Sequence, residues 1–346
     1  LKKAGPFARC AALCTGPEFH SLDHIAPLAS FLELPLYVTD ELCYALAHRF
    51  YPFVETRSLP DLEFRLEEIA HQFDCLFECK YWRPALQNIF RMFHSKEMKL
   101  VFCPHGQSDK GFGAPLLAPY ALQDRVLIYG SLMERMLREL SVWESIRRYA
   151  VVGNYRLAFY QNHQSFYDAV FQEQWRGNPR NKTLLYAPTW SDADDASSFF
   201  QWGAQVIEQK PDDWNLILKL HPLLEQRRPG PFYRLVSQAQ NKPNTTVLWE
   251  FPPVYPVLAK ADAFLGDASS VGYDFLYFER PLYFFPSPQP GRLRSCGQTL
   301  DPQRNLYSQL DLNPRYVQQQ RELFQLAFGE PVAALQLRDR VSRLLS

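Results

Sequence analysis

Four polar stretches, each directly after a short apolar run, carry the residue types that proton transfer and phosphate binding require. The first, Pro104-His105-Gly106-Gln107-Ser108-Asp109-Lys110-Gly111, follows the run 99–103. A histidine there can take or give a proton near neutral pH. Gly106 lets the backbone pass close to a ligand, and Lys110 can meet an anion. The second and third are Ala187-Pro188-Thr189-Trp190 and His221-Pro222, where Lys219 and His221 alternate with Leu218 and Leu220 and so share one side of a strand end. The fourth, Asp267-Ala268-Ser269-Ser270, separates an apolar run from a helical segment. Free N–H groups at a helix start attract phosphate, and two serines add hydroxyl donors with little bulk. Each stretch also has a plainer reading: a polar turn whose histidine bonds the backbone, or Asp267 or Ser269 capping a helix. Their recurrence after successive apolar runs is the feature that points to a site. Neither GxGxxG nor GxxxxGK[ST] occurs, which disfavours dinucleotide oxidoreductases and P-loop enzymes.

Loops of this kind need strands to hold them. Apolar, β-branched and aromatic runs predict strands at 9–15, 36–39, 75–79, 100–103, 126–129 and 150–152, with helices at 23–34, 62–72, 85–93 and 133–140. The pattern restarts with strands at 184–186, 216–220, 246–249, 263–266 and 282–285, and helices at 199–209, 232–239, 254–259 and 270–278. Between the two halves an amphipathic segment, 157–176, is broken by Gly177-Asn178-Pro179-Arg180-Asn181, and 315–346 reads as two closing helices. Alternating strands and helices predict parallel sheets, hence an α/β chain of two Rossmann-like domains, 1–156 and 157–312, followed by C-terminal helices, 313–346. Doubly wound halves bind ligands at the carboxyl ends of their strands, so the expected site is a central cleft that both halves face.

Composition narrows the function. With 346 residues, 47% hydrophobic and 21% charged, the chain can bury a core and shows no bias toward disorder. Its 37 basic and 37 acidic residues leave no surplus to attract nucleic acid. No apolar run reaches the length of a membrane span, the start lacks a signal-type apolar core, and the seven cysteines include no CxxC pair. These features predict reduced, buried thiols in a cytoplasmic protein.

The order His105-Gly106…Lys110, Tyr186-Ala187-Pro188-Thr189-Trp190, Lys219-Leu220-His221-Pro222, Asp267-x-Ser269-Ser270…Asp274-Phe275 and Arg280-Pro281 resembles the CDP-glycerol glycerophosphotransferases of wall teichoic acid synthesis, over roughly residues 99–286. The resemblance implies a GT-B fold, a CDP-activated donor as substrate, and transfer of glycerol phosphate or a similar polyol phosphate to a hydroxyl of a polyol or glycan acceptor, with release of CMP. It implies His105 as catalytic base and His221 as a second essential histidine beside the phosphates. Ser269 and Ser270 become the diphosphate pair, and Gly106, Lys110, Thr189, Lys219 and Asp274 join the donor site. No cofactor is implied, and a divalent metal is left open. The implied location is the cytoplasm, in solution or peripherally on the inner face of the membrane. One departure stands out: the family loop reads His-Gly-Thr-Pro-x-Lys, whereas this chain has Gln107, Ser108 and Asp109 before Lys110. The same residues would also suit a GT-B glycosyltransferase using a nucleotide sugar, or a nucleotide-binding protein without catalysis.

Overall fold

Strands buried on both faces need continuous apolar runs, and the runs Cys10–Cys14 and Lys182–Ala187 become central strands of two parallel sheets. The computed structural model describes residues 5–109, 117–190, 197–288 and 291–346. The first sheet comprises β1 (Cys10–Cys14), β2 (Leu36–Val38), β3 (Thr56–Ser58), β4 (Cys75–Glu78), β5 (Lys99–Phe102), β6 (Arg125–Ile128) and β7 (Tyr149–Val151), in the order β3-β2-β1-β4-β5-β6-β7. The second comprises β8 (Lys182–Ala187), β9 (Trp214–Lys219), β10 (Thr245–Leu248), β11 (Ala263–Gly266), β12 (Leu282–Phe284) and β13 (Gln298–Thr299), in the order β10-β9-β8-β11-β12-β13.

Counted from its own first strand, each sheet runs 3-2-1-4-5-6, with a seventh strand added at the edge of the first sheet, the doubly wound order in which chain direction reverses between the first and fourth strands. That reversal opens a crevice at the carboxyl ends of β1 and β4, and of β8 and β11. The described chain clusters into two compact units, one holding 5–107, 117–162 and 326–346, the other 108–109, 163–190, 197–288 and 291–325. In the second unit Leu184, Tyr186, Leu216, Leu218 and Leu265 pack against Phe199, Val206, Phe232 and Val236 from flanking helices, and all are buried.

Some elements depart from the sequence reading. Residues 41–50, assigned no element there, form the helix Glu41–Phe50, capped by the Asp40 carboxylate, which accepts from the Cys43 N–H at 2.9 Å. Strand β3, strand β13 and the helix Pro222–Arg227 were also unanticipated, each being too short to show a period. The segment read as one amphipathic stretch, 157–176, is two helices, Tyr155–Asn162 and Gln164–Gln174. All seven cysteines are buried and free.

Candidate active site

In the second unit the crevice residues are tied together by one carboxylate. Gly266 ends β11 opposite Ala187, and a Cβ there would stand 2.8 Å from the Ala187 carbonyl oxygen, so only glycine lets the strands close. The next residue, Asp267, is buried, and its Oδ2 accepts from the Thr189 N–H at 2.8 Å and the Ser198 N–H at 3.3 Å. The loop after β8 is thereby joined to the turn after β11, across the reversal point.

Ser269 stands at the N-cap of the helix Ser270–Phe275, yet its side chain makes no capping bond. Its Oγ is buried without a hydrogen-bond partner among the described residues. Ser269 therefore does not serve as the side-chain cap that the plainer reading allowed. A buried hydroxyl left unsatisfied costs about 1–3 kcal/mol, a cost that a ligand oxygen would relieve. Ser270 is half-buried beside it.

His221 opens the helix Pro222–Arg227, where its Nδ1 accepts from the Leu223 N–H at 3.2 Å. An accepting Nδ1 carries no proton, so the neutral ring presents Nε2–H as a donor. The Trp190 ring lies 6.2 Å from His221, with the Arg227 guanidinium 4.5 Å above Trp190. Lys219, half-buried, closes β9. Asp274 is buried and accepts from the Tyr255 hydroxyl at 2.8 Å.

The first unit gathers titratable groups instead. His105 follows β5 with its ring exposed and its Nδ1 3.3 Å from the Cys79 carbonyl oxygen. A carbonyl only accepts, so Nδ1 carries a proton, and in the neutral ring Nε2 holds the lone pair. Gly106 has φ +116°, a backbone region that suits glycine and lets the loop turn after His105. The carbonyl before the histidine, that of Pro104, accepts from the Tyr129 hydroxyl at 2.9 Å. Tyr129 has a single hydrogen to give, so His24 Nδ1, 2.9 Å away, must donate to it. Burial, with Arg156, His105 and His20 adding to it, holds the His24 pKa well below the usual imidazole range. The rings of His20 and His24 stand 6.0 and 6.4 Å from that of His105. At the end of β4, burial pushes the Glu78 carboxyl up to about 7 although the Thr15 hydroxyl donates to it. Lys80 and Glu18 form an ion pair next to it.

The residues that depart from the family loop act as anchors. Gln107 is buried with its amide 3.2 Å from the Met136 sulfur. Asp109, grouped with the second unit, accepts from the Tyr273 hydroxyl at 2.6 Å and the Leu293 N–H at 2.8 Å, while burial raises its pKa. Lys110 lies outside the described residues.

Sequence reasoning missed the bridging role of Asp267, the Thr15–Glu78 pair, and the histidines His20 and His24 beside His105 with Tyr129 bonded to His24. Glu78 had a readable signal, since it is a lone carboxylate inside the apolar run FDCLFECKYW. Among the described residues no cluster of three or more His, Cys, Asp or Glu side chains could hold a metal ion, and no helix is long and apolar enough to cross a membrane.

Comparison with known structures places this architecture. The wall teichoic acid polymerase TagF superposes with a TM-score of 0.65 at 13% identity, covering 98% of this chain and 88% of that one. MnaA of S. aureus, solved with UDP, gives 0.62 at 13% identity over 97% and 96% of the two chains. The UDP-GlcNAc 2-epimerase of Neisseria meningitidis, bound to UDP-GlcNAc, gives 0.58 at 13% over 97% and 99%. The fold is accordingly two Rossmann-like α/β units of the GT-B type, the class expected from the sequence. A search of curated protein sequences finds no match. Residues 92–289, more than half of the chain, match the profile of the CDP-glycerol:poly(glycerophosphate) glycerophosphotransferases, and the chain belongs to that family. It is a transferase that moves glycerol phosphate from CDP-glycerol to an acceptor.

Proposed function

We propose that the donor diphosphate is held at the turn after β11 by Ser269 and Ser270, with Thr189, Lys219 and the Nε2–H of His221 as further donors. The observation that carries this reading is the buried, unpartnered Ser269 Oγ, fixed at the reversal point by the Asp267 bridge. His105 Nε2 removes the proton from the attacking hydroxyl, which belongs to a poly(glycerophosphate) chain, and CMP leaves. Phosphoryl transfer depends mainly on positioning and on donors aimed at phosphate oxygens, which the second unit supplies in quantity. Action in the cytoplasm, in solution or at the inner membrane face, completes this reading, and no helix among the described residues is long and apolar enough to cross a membrane.

Replacing both Ser269 and Ser270 by Ala should raise the dissociation constant for CDP-glycerol about tenfold or more while far-ultraviolet circular dichroism stays unchanged. An unaltered dissociation constant would remove the diphosphate from this turn. Parallel titration with UDP sugars separates the nucleotide-sugar reading, which predicts tighter binding of those compounds than of CDP-glycerol.

A further inference from the structure

Charges balance over the whole chain, 37 against 37, but they do not balance along the edge of the first sheet. Strand β7 is last in the order, and the helix Ala334–Leu345 packs along it, with the Arg340 guanidinium donating to the Val151 carbonyl at 3.0 Å. Strand and helix enclose a hollow of about 640 Å³ whose lining includes Arg147, Arg148, Arg340, Arg343 and Tyr149. All four arginines are exposed. Arg343 is paired with Asp339, whereas Arg147 and Arg148 enter no ion pair among the described residues. Arg340 and Arg343 stand one helical turn apart and so share a face.

Guanidinium groups are planar, weakly hydrated and matched to the oxygens of phosphate, so Arg147 and Arg148, with Arg340 and Arg343 beside them, favour an anion of that chemistry in the hollow. The place is not the transfer site. The strands run parallel, and Arg147 and Arg148 precede β7, which puts them at the amino end of the sheet. His105 follows the carboxyl end of β5, two strands inward. A ligand for this groove must therefore be an anion that is useful away from the reacting hydroxyl.

A poly(glycerophosphate) acceptor has such a part, because every unit behind its end carries a phosphodiester charge. We infer that the groove between β7 and the helix Ala334–Leu345 binds phosphodiester units of the acceptor chain, back from its reacting end. This inference rests on the acceptor assigned above. Holding the chain at a second place raises the effective concentration of its terminal hydroxyl without any new contact at the transfer site. A long acceptor is then favoured over a single unit through KM.

The test is the double charge reversal Arg147→Glu with Arg148→Glu, read by fluorescence anisotropy of a labelled poly(glycerophosphate) chain and by KM for long and single-unit acceptors. Arg234→Glu, an exposed reversal in the other unit, controls for net charge. Binding of the long chain and its KM should each worsen about tenfold or more, with kcat and the single-unit KM unchanged. Wild-type protein that fails to bind the chain, or a variant that binds it normally, overturns the groove. So does a variant that loses only its binding to phosphatidylglycerol vesicles, which would make the groove a membrane contact. Wild-type protein without transfer activity would sink the catalytic reading alone, and chain binding lost in the variant would still support the groove.

Discussion

The two sheets share one strand order and differ in the residues set just beyond their strands. After β1, β4 and β5 the first unit collects groups that titrate: Glu78, His20, His24 and His105. After β8, β9 and β11 the second collects backbone and hydroxyl donors organised by Asp267, with His221 held as a donor. Even the histidines are opposites, because His105 keeps its Nδ1 proton against a carbonyl while His221 gives up that position to an N–H. Topology thus supplies two equivalent crevices, and a few residues at each strand end set titratable side chains beyond one and backbone and hydroxyl donors beyond the other.

The largest effect expected from breaking this contrast is at His105. General-base catalysis contributes about 10²–10⁴-fold, so His105→Ala should lower kcat by that order and leave CDP-glycerol affinity unchanged. His221→Ala should reduce both, since the donor contact proposed for it acts before and during transfer. Glutamine sharpens the distinction. An amide N–H can replace a donor but cannot act as a base, so His221→Gln should recover part of the lost activity and His105→Gln none. Equal recovery at both positions would erase the assigned difference, and steady-state kinetics with measured donor affinities decides it.

A second contrast lies between the buried carboxylates. Asp267 accepts two N–H bonds, whereas Glu78 has the Thr15 hydroxyl and a pKa raised to about 7 by burial. The ordinary glutamate value is near 4.3, so between these limits the folded state binds more protons than the unfolded one, and stability falls as pH rises. The loss is complete above about pH 7 and amounts to on the order of 3 kcal/mol. Glu78→Gln should therefore match the wild type near pH 4 and exceed it at pH 8 in thermal unfolding. Asp267→Asn should instead be less stable than the wild type at pH 8, because a neutral amide oxygen is a weaker acceptor than a carboxylate for the two N–H groups it holds. If Glu78→Gln melts below the wild type at pH 8, the Thr15 bond outweighs the burial penalty.

Much of this was legible in the sequence, and the reasons are local. The long central strands announced themselves as apolar runs, and the order of His105, Thr189, His221 and Ser269 behind them carried the family. The features that escaped were either short or dependent on distant partners. The helix Glu41–Phe50 had a readable cap in Asp40, but β3 is half-exposed and only three residues long. The bridge from Asp267 to Thr189 spans 78 positions, and that between His24 and Tyr129 spans 105, so no spacing rule could pair them. The departures Gln107 and Asp109 looked like altered chemistry and prove to be buried anchors.

The smallest expected effect tests how the His105 loop is held. In the second unit a carboxylate grips backbone N–H groups, whereas here one phenol hydroxyl grips the Pro104 carbonyl and is itself fixed by His24. Tyr129→Phe removes the hydroxyl and leaves two buried groups unsatisfied, costing about 1–3 kcal/mol of stability. The neighbouring Tyr155 offers a control, since its hydroxyl, also buried, donates to the His24 carbonyl at 3.1 Å without touching Pro104. Tyr155→Phe should cost about as much stability, roughly 1–3 kcal/mol, and leave kcat near that of the wild type. Tyr129→Phe should lower kcat about fivefold through the loosened loop, with the KM for CDP-glycerol unchanged, because no donor contact is lost. Both variants are to be assayed well below their unfolding midpoints, so that the folded fraction is the same. Equal kcat in the two would mean that Tyr129 contributes stability alone and that β5 and Gly106 suffice to aim the histidine.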